Sequence, residues 1–416
     1  MVKLDDYRLR LCKEPESRQG ETTMPAVERT NRPISLLFLV THLGIGGAQE
    51  MLYKLLSRID RTRFIPHVIS LMDHGLLIPK IQALGIPVHS LGMRRGVPNP
   101  LAILRLARWL WQHHPDVIQT WMYHADLAGS LAARLVGRIP VSWGIRHSDL
   151  SPEGNNSRTL RIVKVCALLS RWLPTRIVCC SEASRRVHAD AWYSSEKMVV
   201  IPNGFDVDTF MPDAVARNSI RKELDIPDGV QVIGMAARFD PIKDHHNFVR
   251  AARILYQSKS NVHFVLCGQG VSWDCEKLVT WIDQAGIRDR FHLLGLRDDM
   301  SRITAAFDIA TLTSFGEAFP NVVGEAMSCA VPCVVTDVGD MARIVGETGM
   351  VVPSRNPDAL AEAWGAMLDL GPEGRCRLGM AARERVKENF SLPKIVDWYQ
   401  NIFEELAYGV RHEGFR

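Results

Sequence analysis

The sequence predicts an α/β protein built from two doubly wound parallel-sheet domains. Three observations carry this expectation. The chain has 416 residues, more than one hydrophobic core usually organises. From residue 34 onward, short apolar runs of strand length alternate with longer stretches of helical character, the rhythm of strand–helix–strand units. The rhythm pauses over 211–229, a polar stretch holding Pro212 and Pro227, and then resumes. Residues 1–32 are polar, with charges of both signs and few large apolar groups, and are expected to form a flexible extension.

Composition excludes several classes. The chain is 46% hydrophobic and 23% charged, an ordinary globular balance. A net charge of +4 is too small to argue for nucleic acid, although it permits a basic face toward anionic lipid. Nine cysteines are scattered without metal-ligand spacing, so they are expected to be reduced, mostly buried thiols of a cytoplasmic protein, with no metal bound. No stretch reaches the apolar length of a membrane span. Asp5, Asp6 and Arg8 interrupt the start of the chain, and no apolar core of a signal peptide follows.

In order, strands are predicted at 34–40, 67–72, 86–91, 117–120, 141–145, 177–180 and 198–201, then at 232–236, 262–267, 291–294, 309–313 and 333–336. Each is a short apolar run suited to a buried parallel strand. Helices are predicted at 48–58, 101–113, 125–136 and 157–176, from 244, over 358–389 and over 393–408. The 157–176 stretch interleaves Arg158, Arg161, Lys164 and Arg171 with apolar residues. It reads either as a helix covering the sheet with a solvated basic face or as an interfacial helix against lipid. Residues 101–111, with Arg105, Arg108, Trp109 and Trp111, raise the same alternatives.

In a sheet of this kind, ligands sit at the carboxyl ends of the strands, and four such ends carry chemistry. Gly44-Ile45-Gly46-Gly47-Ala48-Gln49 turns the first strand into a helix. Gln49 stands where a dinucleotide fingerprint needs its third glycine, which excludes that fold's oxidoreductases. Gly46 and Gly47 still permit close approach to the backbone. His124 lies just past the 117–120 strand, and Arg146 and His147 close the next one. A structural histidine and a solvated loop are the plain readings of these residues. After 232–236, Arg238 and Lys243 lie beside a helix start; guanidinium and ammonium suit two adjacent phosphates.

The fourth end organises the chain. In the stretch from Thr311 to Met327, an apolar strand runs into Ser314-Phe315-Gly316-Glu317, and Pro320 suits the first position of a helix. The free N–H groups and dipole of such a helix end attract anions, phosphate above all. Glu317 and Glu325 beside an anion site suggest sugar hydroxyls as their partners. Asp206 and Asp208 have an Asp-x-Asp look, but they follow a Pro-Asn-Gly turn at a domain junction, and no metal is assigned to them.

Glu-x7-Glu running into Ala-Met resembles the signature of family 4 retaining glycosyltransferases, which have the GT-B fold. The resemblance covers about residues 34–408. It implies two Rossmann-like domains facing across a cleft: an acceptor-side domain at 33–204, a nucleotide-sugar donor domain at 205–392, and a C-terminal helix, 393–416, returning to the first domain. It implies that Glu317 contacts the transferred sugar near its reacting carbon and that Glu325 holds the ribose hydroxyls. Arg238 and Lys243 hold the donor diphosphate with the N–H groups near Phe319 and Asn321. Gly46 and Gly47 line the cleft by the donor phosphates, His124 faces the sugar, and the loop carrying Arg297 frames the nucleobase. Arg146 is a candidate acceptor contact.

The implied activity is transfer of a sugar, with retention, from a nucleoside-diphosphate sugar to a saccharide or lipid-linked acceptor in bacterial polysaccharide or glycolipid synthesis. No cofactor or metal is required. The implied location is cytoplasmic, with peripheral contact on the inner face of the membrane. A nucleotide-sugar isomerase on the same fold and a catalytically silent nucleotide-sugar binding subunit remain open as alternatives.

Overall fold

Among the described residues, thirteen parallel strands form two sheets, and the order of strands reverses once in each. The computed structural model describes residues 32–44, 46–73, 75–93, 99–151 and 155–409. Apart from Arg32, the predicted N-terminal extension lies outside these, as do residues 410–416.

The first half runs β1 (Ile34–Val40), α1 (Gly47–Arg58), β2 (Phe64–Ser70), α2 (Ile78–Ala83), β3 (Val88–Ser90), α3 (Pro100–His113), β4 (Val117–Trp121), α4 (Tyr123–Val136), β5 (Val141–Ile145), α5 (Ser157–Leu169), β6 (Arg176–Cys179), α6 (Glu182–Asp190) and β7 (Met198–Val200). The second runs α7 (Ala214–Glu223), β8 (Gln231–Ala236), α8 (His245–Ser258), β9 (Val262–Cys267), α9 (Glu276–Ala285), β10 (Phe291–Leu293), α10 (Met300–Ala305), β11 (Ile309–Leu312), α11 (Asn321–Ser328), β12 (Cys333–Thr336), α12 (Met341–Val345), β13 (Gly349–Val352), α13 (Pro357–Asp369), α14 (Gly371–Phe390) and α15 (Leu392–Tyr408).

The sheet orders are β3-β2-β1-β4-β5-β6-β7 and β10-β9-β8-β11-β12-β13. Each order turns back at one place, between β1 and β4 and between β8 and β11. There the loops leaving neighbouring strands diverge to opposite faces and open a crevice at the carboxyl ends.

The alternation of β1 divides the first core. Leu36, Phe38 and Val40 join α1 and α15, whereas Leu37 and Leu39 join α3, α4 and α5. Helix α15 belongs to the first sheet although it ends the chain. Phe403 packs edge-on against Phe38 at 5.7 Å, and Ile395, Tyr399 and Ile402 are fully buried beside it. Each such aliphatic or aromatic side chain contributes about 1.5–3 kcal/mol by leaving water, so the return of α15 is driven by burial. The crossing is fixed by two backbone bonds, Phe205 N–H to Phe390 O at 2.9 Å and Leu392 N–H to Phe205 O at 2.8 Å.

Several expectations need correction. The helix predicted over 157–176 stops at Leu169, where Ser170 bonds the Ala167 carbonyl; Pro174 could not continue it, and Arg176 belongs to β6. Strand β2 starts at Phe64 rather than residue 67, because β3 pairs only with Val68 to Ser70 and leaves Pro66 on a free edge. The polar stretch 211–229 contains α7, capped by Asp213 through Ala216 N–H. Pro320 is not the first helical residue: its extended ψ of 127° places it just before α11. Strand β13 was not anticipated.

Eight cysteines among the described residues are unpaired, and six of them are buried. Burial pushes the thiols of Cys329 and Cys333 up to about 12, which keeps them protonated and unreactive.

Candidate active site

The two reversal points carry most of the predicted site. Gly46 and Gly47 open α1 after β1, and His124 opens α4 after β4. Arg238 and Lys243 follow β8, and Glu317 follows β11. Strand order puts the loop of Gly46 next to that of His124 and the loop of Arg238 next to that of Glu317, and the interdomain bond from Lys54 to Glu325 joins positions 271 apart.

In the second domain, the loops after β8 and β11 interlock. Phe315 N–H bonds Ile242 O at 3.0 Å, and Thr313 Oγ1 donates to Lys243 O at 2.7 Å. On this frame Lys243 Nζ pairs with the Glu317 carboxylate, which also accepts from Ser314 Oγ at 2.7 Å. Both partners are largely shielded from water. Arg238, on the same loop, stays exposed and is paired with Asp240 at 3.0 Å. Gly339 lets this loop close: its φ is +57°, and a Cβ there would lie 2.1 Å from the Glu317 carbonyl oxygen.

Helix α11 points its first turn at the first domain. Asn321 Nδ2 reaches Gly47 O at 3.4 Å, and Asn321 Oδ1 accepts from Asn203 Nδ2 at 2.7 Å. The opening N–H groups of this helix have no intrahelical acceptors, so an anion near Asn321 meets donors and a positive dipole end. Phe319 contributes backbone only, since its ring is buried against Phe205 and Phe390. Glu325 accepts from Lys54 Nζ of α1 at 3.0 Å.

Other bonds join the two domains around this point. Ser148 Oγ donates to Glu317 O at 2.6 Å. The buried Asp340 carboxylate accepts from Glu182 N–H at 2.9 Å and Ala183 N–H at 2.8 Å, capping α6 from across the interface.

His124 is partly buried, and burial holds its imidazole below the usual histidine range. It is neutral at pH 7, able to donate or accept a hydrogen bond. Its helix follows Met122, whose φ of 76° and ψ of 155° fall where few residues but glycine settle. His147 is likewise depressed by burial, with Asp149, Asn155 and Glu317 acting against the shift.

Of the remaining predicted residues, Arg146 reaches this grouping through Asn203, and Arg297 is engaged by carboxylates of its own domain. Arg146 bonds Tyr399 Oη at 3.0 Å and Asn203, and lies 4.5 Å above the Trp121 ring. Its guanidinium stitches α15 to the first domain. Arg297 turns toward Asp299 at 2.8 Å and Glu223 at 2.7 Å. Asp206 is engaged by Arg58 at 3.2 Å and by the Asp208 and Thr209 N–H groups.

Lys54, Ser148, Asn203 and Asp340 were not anticipated as site residues. Asn203 alone had a local signal, its Pro-Asn-Gly turn; the others join the site through contacts between distant segments.

Residues 45–209 match the family described as Glycosyltransferase Family 4, and residues 230–369 the family described as Glycosyl transferases group 1. A D-inositol 3-phosphate glycosyltransferase of Xylanimonas cellulosilytica is 31% identical over 289 residues, 65% of this chain and 68% of that protein. The UDP-Gal:alpha-D-GlcNAc-diphosphoundecaprenol alpha-1,3-galactosyltransferase of Escherichia coli is 24% identical over 313 residues, 74% of this chain and 79% of that one. In fold, the chain is similar to Anabaena HepE, solved with UDP and glucose, with a TM-score of 0.77 at 23% identity over 89% of this chain and 99% of that one.

Proposed function

Since the chain belongs to glycosyltransferase family 4 and is a glycosyltransferase of GT-B fold, we propose that it moves a sugar from a nucleoside-diphosphate sugar to a saccharide or lipid-linked acceptor, with retention of configuration, in bacterial polysaccharide or glycolipid synthesis. The observation that carries this reading is the Lys243–Glu317 pair, held at the β8/β11 reversal point beside the opening turn of α11.

Cleaving the bond between the sugar and its diphosphate leaves negative charge on the diphosphate. Lys243, Arg238 and the N–H groups of the first turn of α11 supply cations and dipoles where that charge develops, so stabilisation is electrostatic. Glu317 holds the hydroxyls of the electron-poor sugar or stabilises its positive charge. Glu325 binds the ribose. The acceptor oxygen attacks from the face the diphosphate leaves, and its proton passes to the departing phosphate oxygen. No separate general base is needed. His124, neutral and at the opposite reversal point, orients the sugar by hydrogen bonding.

A lipid-linked acceptor draws support from the Escherichia coli relative, whose name specifies a diphosphoundecaprenol substrate. The work is then done on the cytoplasmic side of a membrane.

The test begins with a thermal-shift panel of nucleoside diphosphates, because a ligand bound by the native state raises the melting temperature. The stabilising base identifies the donor series, and transfer is then followed by NMR of the product anomer. Transfer with inverted configuration rules out retention. Interconversion of the nucleotide sugar without acceptor identifies an isomerase instead. Turnover is expected to persist in excess chelator; dependence on an added divalent ion would return attention to Asp206 and Asp208.

A further inference from the structure

Helices α3, α4 and α5 cover one face of the first sheet, with α4 packed between the other two. Their inner sides are the expected core. Their outer sides are not the expected polar surface. On α3, Leu101, Leu104 and Trp111 stand in solvent, the tryptophan 64% exposed. On α4, Leu131 and Leu135 do the same. On α5 and the turn after it, Leu168 is 70% and Trp172 63% exposed. Single exposed apolar residues are ordinary; a concentration across three adjoining helices marks an interaction surface.

The charges on this surface have one sign. Residues 100–113, 123–136 and 157–175 contain Arg105, Arg108, Arg134, Arg158, Arg161, Lys164 and Arg171. Their single carboxylate, Asp126, is fully buried and bonded to Thr120 Oγ1 at 2.6 Å. An outer face with exposed Leu and Trp, many cations and no exposed acid is not tuned for water, where opposite charges are usually interspersed. Nor does it suit another basic protein surface.

At the edge of the face a further tryptophan is exposed, between the exposed acids Asp190 and Glu196. Trp192 is 85% exposed and held at a φ of +72°, unusual for a bulky residue. Its segment is tied to the Trp172 turn by Ser194 N–H to Ser170 Oγ at 2.9 Å. A third indole is thus presented to solvent on a segment bonded to the turn that carries the second.

We propose that this three-helix face docks on an anionic lipid bilayer, with Trp111 and Trp172 seated at headgroup level, the leucines below them, and the arginines against lipid phosphate. Indoles favour the membrane–water boundary, and helices of this character lie in its plane. Each basic residue near an anionic surface adds roughly fivefold to binding, and salt weakens the attraction. Helix α4 begins at the β1/β4 reversal point, so docking brings the bilayer to the domain proposed to receive the acceptor. The inference stands on surface composition and is independent of the transfer chemistry.

The test is flotation of the full chain with vesicles of phosphatidylcholine and phosphatidylglycerol, and with phosphatidylcholine alone, across a salt series. Binding is expected to the anionic vesicles, to weaken as salt rises, and to be slight on the neutral ones. Arg108→Ala with Arg161→Ala is expected to lower vesicle affinity roughly thirtyfold. Leu104→Ser with Leu168→Ser is expected to reduce it at low salt as well, and neither pair should move the melting temperature appreciably. Absence of binding, equal binding to both vesicle types, or binding unchanged by both double variants would overturn the proposal. So would light scattering that shows a dimer of the parent chain dissociated by the leucine variant, which assigns the face to a second copy instead.

Discussion

Lys54 of the first domain donates to the Glu325 carboxylate of the second at 3.0 Å, and both side chains are more than four-fifths shielded from water. The pair does two things at once. It ties α1 to α11 across the interface, and it aims the carboxylate proposed to hold the donor ribose. Lys54→Met keeps the apolar stem and removes the charge. A hydrogen bond to a charged group is worth about 1.5–3 kcal/mol, so the variant should melt several degrees lower. It should also bind nucleoside diphosphate more weakly, raising the donor KM more than it lowers kcat. Calorimetric titration with the diphosphate found in the thermal-shift panel checks this; unchanged affinity would limit Lys54 to a structural role.

Glu317 and Lys243 are the sharper test of the chemistry. Glu317→Gln retains shape and the Ser314 bond but loses the charge that Lys243 faces. Lys243→Ala removes the cation proposed to face the departing diphosphate. Each should lower kcat by on the order of 10²–10³, the effect of deleting one preorganised donor. Their effects should not add, because the two side chains contact one another. Single-turnover kinetics of the two variants and of the double variant make the comparison. Near-normal turnover in either single variant would sink the assignment.

Gly339 tests whether backbone packing holds Glu317 in place. A methyl group there meets the Glu317 carbonyl at 2.1 Å and forces alanine into a left-handed conformation. The same carbonyl accepts the interdomain bond from Ser148. Gly339→Ala should therefore lose roughly 1–3 kcal/mol of stability from strain alone, and kcat should fall because the Glu317 loop must shift. Melting curves and turnover measured together decide it: a stable variant of full activity would show that the loop tolerates displacement.

The strands at 141–145, 262–267 and 333–336 were legible to the residue, because each is a buried apolar run closed by loop-forming or polar residues. Strand β13 escaped because Gly349 and Met350 open it and it lies, half-buried, at the sheet edge. Helix α7 escaped because its sequence is mostly polar: Ala216 and Ile220 are buried, and Arg217 and Arg221 grip Asp308. The same division runs through the site. Arg238, Lys243, Glu317 and Glu325 sit in loops and a helix turn whose local pattern is readable. Lys54 and Asp340 matter only because two sheets meet, and no local pattern encodes a meeting of segments 158 or 271 residues apart.

Burial sets two opposing dependences of stability on pH. His188, His245 and His292 are held near a pKa of about 4 by burial. Their folded values lie below the unfolded 6.5, so the unfolded chain binds more protons between these limits, and stability is lost as pH falls from 6.5 toward 4. Asp126 runs the other way. Burial raises it to about 7 against Thr120 and the Gly144 N–H, which act to lower it. Its folded value lies above the unfolded 3.8, so its contribution is full at low pH and disappears as pH rises from about 4 to 7. The three histidines, with His67, His124, His147 and His263 depressed in the same direction, outweigh Asp126, and the parent chain should gain stability as pH rises from 4.5 to 6.5. Asp126→Asn keeps an acceptor for Thr120 and removes the opposing titration. Its melting temperature should climb more steeply with pH over 5–7 than that of the parent, whatever the offset between the two curves. Parallel curves would show that Asp126 is ionised in the folded protein throughout this range.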